Sequence, residues 1–168
     1  MKTRKLTVLG LLSALSLILF VIELRLPALI PVPGVKPGLS NIVVLVALFA
    51  YDRKSAGAVL FVKTVLGAVF AGSMLRFLYS CAGSLCCFAV AAALLSAVKE
   101  KQIWFLSALS ACAHNFGQLA VARFVLGTAQ VWWYAPILVL SGVLTGLFTG
   151  FCAGFALPLL RKADKKQY

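Results

Sequence analysis

Basic residues in this chain fall in clusters, and the clusters occupy alternate gaps between long apolar runs. They stand at Lys2/Arg4/Lys5, Arg53/Lys54, Lys99/Lys101 and Arg161/Lys162/Lys165/Lys166. The intervening gaps hold only Arg25, Lys36 and Arg76, while Lys63 and Arg123 lie inside apolar runs. Positive charge collects on the cytoplasmic side of a bilayer, so the alternation converts hydropathy into topology. Both termini are expected in the cytoplasm, which requires an even number of crossings.

Composition narrows the class further. The 168 residues suit one domain. A hydrophobic fraction of 62% and apolar stretches of bilayer length exclude a soluble core as the main architecture. Sixteen Lys and Arg face four acids. That excess flanks hydrophobic segments and forms no basic–aromatic patch, so anionic membrane lipids are the expected partner and nucleic acid is not. The first apolar stretch follows Lys2-Thr-Arg-Lys5 and imitates a signal peptide. No Ala-x-Ala-like cleavage site comes after it, and a retained span is expected. Cys81, Cys86, Cys87, Cys112 and Cys152 all sit in apolar surroundings without a C-x-x-C pair, as small packing residues would.

Charge and hydropathy together predict an all-α bundle of six transmembrane helices in a single domain over residues 1–168. The expected spans are about 6–22, 38–51, 55–71, 77–98, 103–126 and 132–160. A loop with Pro27, Pro31, Pro33, Gly34 and Pro37 separates the first two. The second span is short for a crossing and is expected to tilt or to lie partly within protein. Trp104 opens the fifth span and Trp132-Trp133-Tyr134 the sixth, as an interfacial aromatic belt would. In the sixth, Gly142, Gly146, Gly150 and Gly154 share one face, suited to close packing of another helix of the same chain. Gly10-x-x-x-Ala14 makes a smaller version of such a face in the first span, open to a partner helix.

Polar groups are costly within a membrane, so their depth is informative. On this topology Glu23, Arg25, Lys36, Asn41, Arg76, Tyr79, Ser80, Gln118 and Arg123 gather toward the extracytoplasmic side, with His114, Asn115 and Lys63 nearer mid-membrane. No such set lies in the cytoplasmic half. Lys36, Asn41, Arg76, Tyr79, His114, Asn115, Gln118 and Arg123 are therefore the candidate substrate-binding residues. Their balance is cationic, which suits an anionic or strongly polar small molecule. Snorkelling to headgroups accounts equally well for Arg25, Lys36 and Arg76, and interhelical hydrogen bonding for His114 and Asn115.

Catalytic chemistry has little to work with. The acids Glu23, Asp52, Glu100 and Asp164 are scattered, and His114 is the one histidine. H-E-x-x-H, G-x-S-x-G and phosphate-binding loops are missing. Prenyl diphosphate chemistry needs clustered aspartates to hold magnesium, and none occurs. No catalytic residue, metal site or cofactor is expected.

The segments Lys36-Pro-Gly-Leu-Ser-Asn41-Ile, Tyr79-Ser-Cys-Ala-Gly-Ser84 and His114-Asn-Phe-Gly-Gln118 carry a resemblance. The chain resembles the bacterial Gx transporter family, also labelled heptaprenyl diphosphate synthase component I, from the first span through the fifth. That family is similar to the substrate-binding S components of energy-coupling factor (ECF) transporters. The resemblance implies a six-helix protein of the bacterial cytoplasmic membrane that captures a small molecule from outside. It also implies docking on a T subunit with two ATPases through Gly10 and Ala14, where S components carry an Ala-x-x-x-Ala motif. Flavin-like and isoprenoid-related cargoes both fit so far. The alternative is a non-catalytic accessory subunit of heptaprenyl diphosphate synthase or of a membrane redox system.

Overall fold

In the computed structural model, residues 2–25 and 38–165 are described, and within them every regular element is helical. Six α-helices run in chain order: α1 Lys2–Arg25, α2 Leu39–Ala50, α3 Arg53–Ala71, α4 Met74–Leu94, α5 Ile103–Leu126 and α6 Ala135–Lys165. A 3₁₀ turn, Ala129–Tyr134, leads into α6. The aromatic trio expected to begin the sixth span thus belongs to that turn. Pro136 then sits in the first turn of α6, where a missing N–H costs nothing. Three stretches, Thr3–Glu23, Met74–Leu94 and Ala129–Lys162, are long and apolar enough to cross a membrane.

The corners follow local chemistry. The α2–α3 reversal is closed by Asp52, whose carboxylate accepts the Ser55 N–H at 2.8 Å and caps α3. Gly72 ends α3 at φ 60°, a left-handed turn that a side chain would strain. Ser73 follows it and caps α4, so α4 begins at Met74 and ends at Leu94, three to four residues earlier at each end than hydropathy predicts. Lys5 pairs with Asp52, and Arg161 bonds both Glu100 and the Phe49 carbonyl. Both ends of the described chain therefore meet the α2–α3 corner, at what is called below the basic end of the bundle.

Burial is inverted relative to a water-soluble bundle. Leu140, Leu144, Phe148, Phe151, Phe155 and Leu159 repeat at three- and four-residue steps along α6, and all are exposed. The opposite face of the same helix buries Ser141, Thr149 and three glycines. Apolar side chains outward and small or polar ones inward is the arrangement a lipid solvent favours. The short α2 obeys another logic. Val43 through Leu48 are all buried, packing on α1, α3 and α4 through one core and on α5 and α6 through another. A helix apolar all round is one surrounded by protein. The expectation that this element lies within protein is met, and its twelve residues form the axis of the bundle.

Two helix pairs approach closely enough to fix side-chain positions. A Cβ on Gly117 of α5 would lie 2.7 Å from the Ala82 carbonyl oxygen, and one on Gly83 of α4 would lie 2.8 Å from the His114 ring. On the other side of α5, a Cβ on Gly146 or Gly150 would meet α5 backbone at 2.5 Å. The glycine face of the last helix thus packs within the chain, as its spacing suggests.

Candidate functional site

Away from the basic end, α1, α2 and α3 are joined by a buried polar network. Glu23, at the end of α1, accepts the N–H groups of Leu39 and Ser40 at 2.9 and 3.3 Å. Its carboxylate thereby satisfies the free donors at the start of α2 and meets the positive end of that helix dipole. About two turns back along α1, the Ser16 hydroxyl donates to the Ser40 carbonyl at 2.9 Å. Lys63 of α3 reaches the same corner, donating to Asn41 Oδ1 at 2.8 Å and Ser40 Oγ at 3.3 Å.

Lys63 is 2% exposed and Glu23 3%. Their charges act on each other, yet hydrogen bonds to neutral partners hold each in place. An ammonium carries three donors, so one of Lys63's has no partner among the described residues. The network encloses a chamber of about 390 Å³, lined by Glu23 and Lys63 and, from α4 and α5, by Arg76, Tyr79, His114 and Gln118. That volume is in the range of small-molecule sites. Gln118 Oε1 and His114 Nδ1 are buried without a hydrogen-bond partner. Buried polar atoms left unpaired in this way are costly unless something meets them.

A narrower slot of about 40 Å³ adjoins the chamber and runs among α2, α4, α5 and α6. Gly38, Asn41, Ser84 and His114 line both spaces.

The sequence candidates divide accordingly. Asn41, Arg76, Tyr79, His114 and Gln118 come together around the chamber. Asn115 borders the slot, but its amide is engaged by α6, donating to the Leu138 carbonyl at 2.7 Å and Ser141 Oγ at 3.3 Å. Arg123 is half-buried and lines neither space; five residues turn it about 140° from Gln118 around α5. Lys36 and the proline-rich loop lie outside the described residues. Gly10 and Ala14 are exposed on α1, with nothing within 4 Å of a Cβ placed on Gly10. Sequence reasoning left Lys63 off the candidate list, although a cation inside an apolar run was the signal for it. Ser84 was quoted only as part of a motif, and Ser110 was passed over.

At the basic end the electrostatics are those of a surface. The Lys5 ammonium, with the Ser55 N–H behind it, holds the Asp52 carboxyl down at about 2, from a usual 3.8.

The family model described as heptaprenyl diphosphate synthase component I matches residues 12–156, a stretch that runs from within α1 to within α6. The chain belongs to that family. No curated protein and no solved structure matches it. Within this membrane protein of the heptaprenyl diphosphate synthase component I family, the matched region holds every described residue of the chamber.

Proposed function

We propose that this chain is a membrane substrate-binding subunit of a transporter, and that it captures an anionic or strongly polar small molecule from the extracytoplasmic side. One observation carries the reading. A buried lysine with an unspent donor faces a chamber that also receives Arg76, while the chamber's acid, Glu23, is already engaged by the start of α2. An acceptor-rich anion supplies what that arrangement lacks. Asn41, Tyr79, His114 and Gln118 offer further hydrogen bonds that orient it.

The direction of capture follows from charge. With the basic end in the cytoplasm, the chamber faces outward and all six helices cross the membrane. The likeness to ECF S components supplies the rest of the cycle: toppling in the bilayer, driven by two ATPases through a T subunit. The open Gly10/Ala14 face of α1 is where that subunit docks. Catalysis is no part of this reading, since the sequence has no clustered aspartates for a diphosphate and its metal.

Extraction of small molecules from protein purified in mild detergent, followed by mass spectrometry, tests the proposal. An anionic compound should accompany the wild type and be lost from Lys63→Met and, separately, from Arg76→Ala. Arg76 is exposed, so its loss leaves the packed core untouched. Retention of the compound by both variants would refute the chamber as the site.

The family's description favours a second reading, a non-catalytic accessory subunit of heptaprenyl diphosphate synthase. That role predicts co-purification with a catalytic partner bearing paired aspartate motifs and an empty chamber. Recovery of a T subunit and ATPases instead decides for transport.

A further inference from the structure

The narrow slot beside the chamber is lined mainly by apolar side chains, among them Val44, Leu48, Leu60 and Phe88, but one part of its wall is polar and uncharged. No Lys, Arg, Asp or Glu lines it among the described residues, yet five hydroxyls do. Three of the five are satisfied. Ser107 and Thr149 bond each other at 2.9 Å, and Thr145 returns its hydroxyl to the Ser141 carbonyl at 2.8 Å. Hydroxyls inside helices ordinarily do the latter, as Ser13 does toward Leu9. Ser84 and Ser110 do not. They are 2% and 3% exposed, and their Oγ atoms have no partner. One comes from α4 and the other from α5, on the walls of the same slot.

We propose that the slot is the second half of the ligand site and takes an uncharged, hydrogen-bonding portion of the same anionic ligand, such as a short hydroxylated chain. The proposal rests on the reading of the chamber as an anion site and adds the class of what hangs from the anion. A prenyl tail would suit the Val44, Leu48, Leu60 and Phe88 part of the wall but not the serines. It would displace water from Ser84 and Ser110 and leave both hydroxyls sealed without a partner, which is the expensive outcome for a buried polar group. Size points the same way. A volume of about 40 Å³ admits roughly three water-sized groups, which suits a few carbons with their hydroxyls and excludes a polyprenyl chain. The absence of charged lining keeps the anionic group above, at Lys63 and Arg76. His114 and Asn41, which border both spaces, sit where the two portions of the ligand join.

Matched probes test this on the full chain in nanodiscs by calorimetry. Erythritol 4-phosphate and dimethylallyl phosphate carry the same anion on bodies of similar length, one hydroxylated and one apolar; inorganic phosphate reports the anchor alone. Erythritol 4-phosphate should bind at least about tenfold tighter than either, the worth of two hydrogen bonds at ordinary net strength. Ser84→Ala/Ser110→Ala should erase that preference, and Ser110→Ala alone, at a residue that lines only the slot, should lower it and leave inorganic phosphate binding unchanged. Equal or tighter binding of dimethylallyl phosphate would overturn the proposal, as would a preference that survives the double variant. Probes that bind without preference, but lose binding in Lys63→Met, would sink the slot assignment and leave the anion site standing. If no phosphate probe binds, both fall.

Discussion

Replacing the glycines of α6 one at a time with alanine should reveal how tightly α5 is held, because the structure ranks the four positions. At Gly146 the new Cβ would lie 2.5 Å from the Ala108 Cα and 2.8 Å from the Ser107 carbonyl oxygen. At Gly150 it would lie 2.5 Å from the Trp104 Cα. Carbon pairs settle at about 3.5–4.0 Å, so α6 must withdraw from α5 by about 1 Å. Both obstacles are backbone, which cannot swing aside. Gly142 is easier, with contacts of 3.0 to 3.2 Å, and Gly154 meets only an Ile103 methyl at 3.4 Å.

Overpacking of this kind costs up to about 3 kcal/mol. Withdrawal also stretches the Ser107–Thr149 bond lying between Gly146 and Gly150, worth about 1 kcal/mol. Alanine's better helix propensity returns about 1 kcal/mol. A net loss of roughly 3 kcal/mol is expected at Gly146 and at Gly150, with a smaller loss at Gly142 and little change at Gly154. Reversible unfolding by SDS in mixed micelles, followed by circular dichroism, reads this order. If Gly146→Ala were as stable as Gly154→Ala, the close α5–α6 contact would not exist and the placement of Asn115 against α6 would lose its support.

Three further outcomes follow from charge. Glu23→Gln should destabilise by about 2 kcal/mol, since it weakens the bonds to Leu39 and Ser40 and removes Lys63's nearby countercharge; the same unfolding assay reads it. Asp52 has a folded pKa of about 2, below its usual 3.8, so its contribution is present above about pH 4 and lost as pH falls toward 2. Because the pair is half exposed, the acid-side loss should stay within about 1 kcal/mol, and Lys5→Ala should flatten the melting temperature between pH 5 and pH 2. Glu100→Gln breaks only an exposed pair with Arg161 and should shift stability by less than about 1 kcal/mol; a larger loss would mean that pair is buried in the membrane-bound protein.

Much of the bundle was legible because membrane patterning is strong and local. The basic clusters lie at one end, the short second element is the buried axis, and the glycine face packs within the chain. What escaped was long-range. Lys63 finds its acceptors on α2, 22 and 23 residues away, and no periodicity in α3 announces them. Asn115 follows His114 directly, so about 100° of helix rotation turns its amide to α6 while His114 meets α4. Arg123 shares an apolar run with the site but not its face. The caps escaped for the opposite reason: Ser73 acts within one turn, below the resolution of a hydropathy window.

The two halves of the bundle are held by different physics, and the chamber lies on the seam. Helices α4, α5 and α6 are joined by glycine contacts that depend on shape and tolerate almost no displacement. Helices α1, α2 and α3 are joined at the chamber by hydrogen bonds among Glu23, Ser40, Asn41, Lys63 and Ser16. The unpaired polar atoms belong mainly to the first group, at His114, Gln118, Ser84 and Ser110, whereas the unspent donor belongs to the second, at Lys63. A ligand that accepts from Lys63 and bonds the unpaired atoms of α4 and α5 would therefore join the two halves. Under the proposed capture role, a membrane interior penalises each of these polar groups singly, and a shared partner reached from both halves at once repays the set.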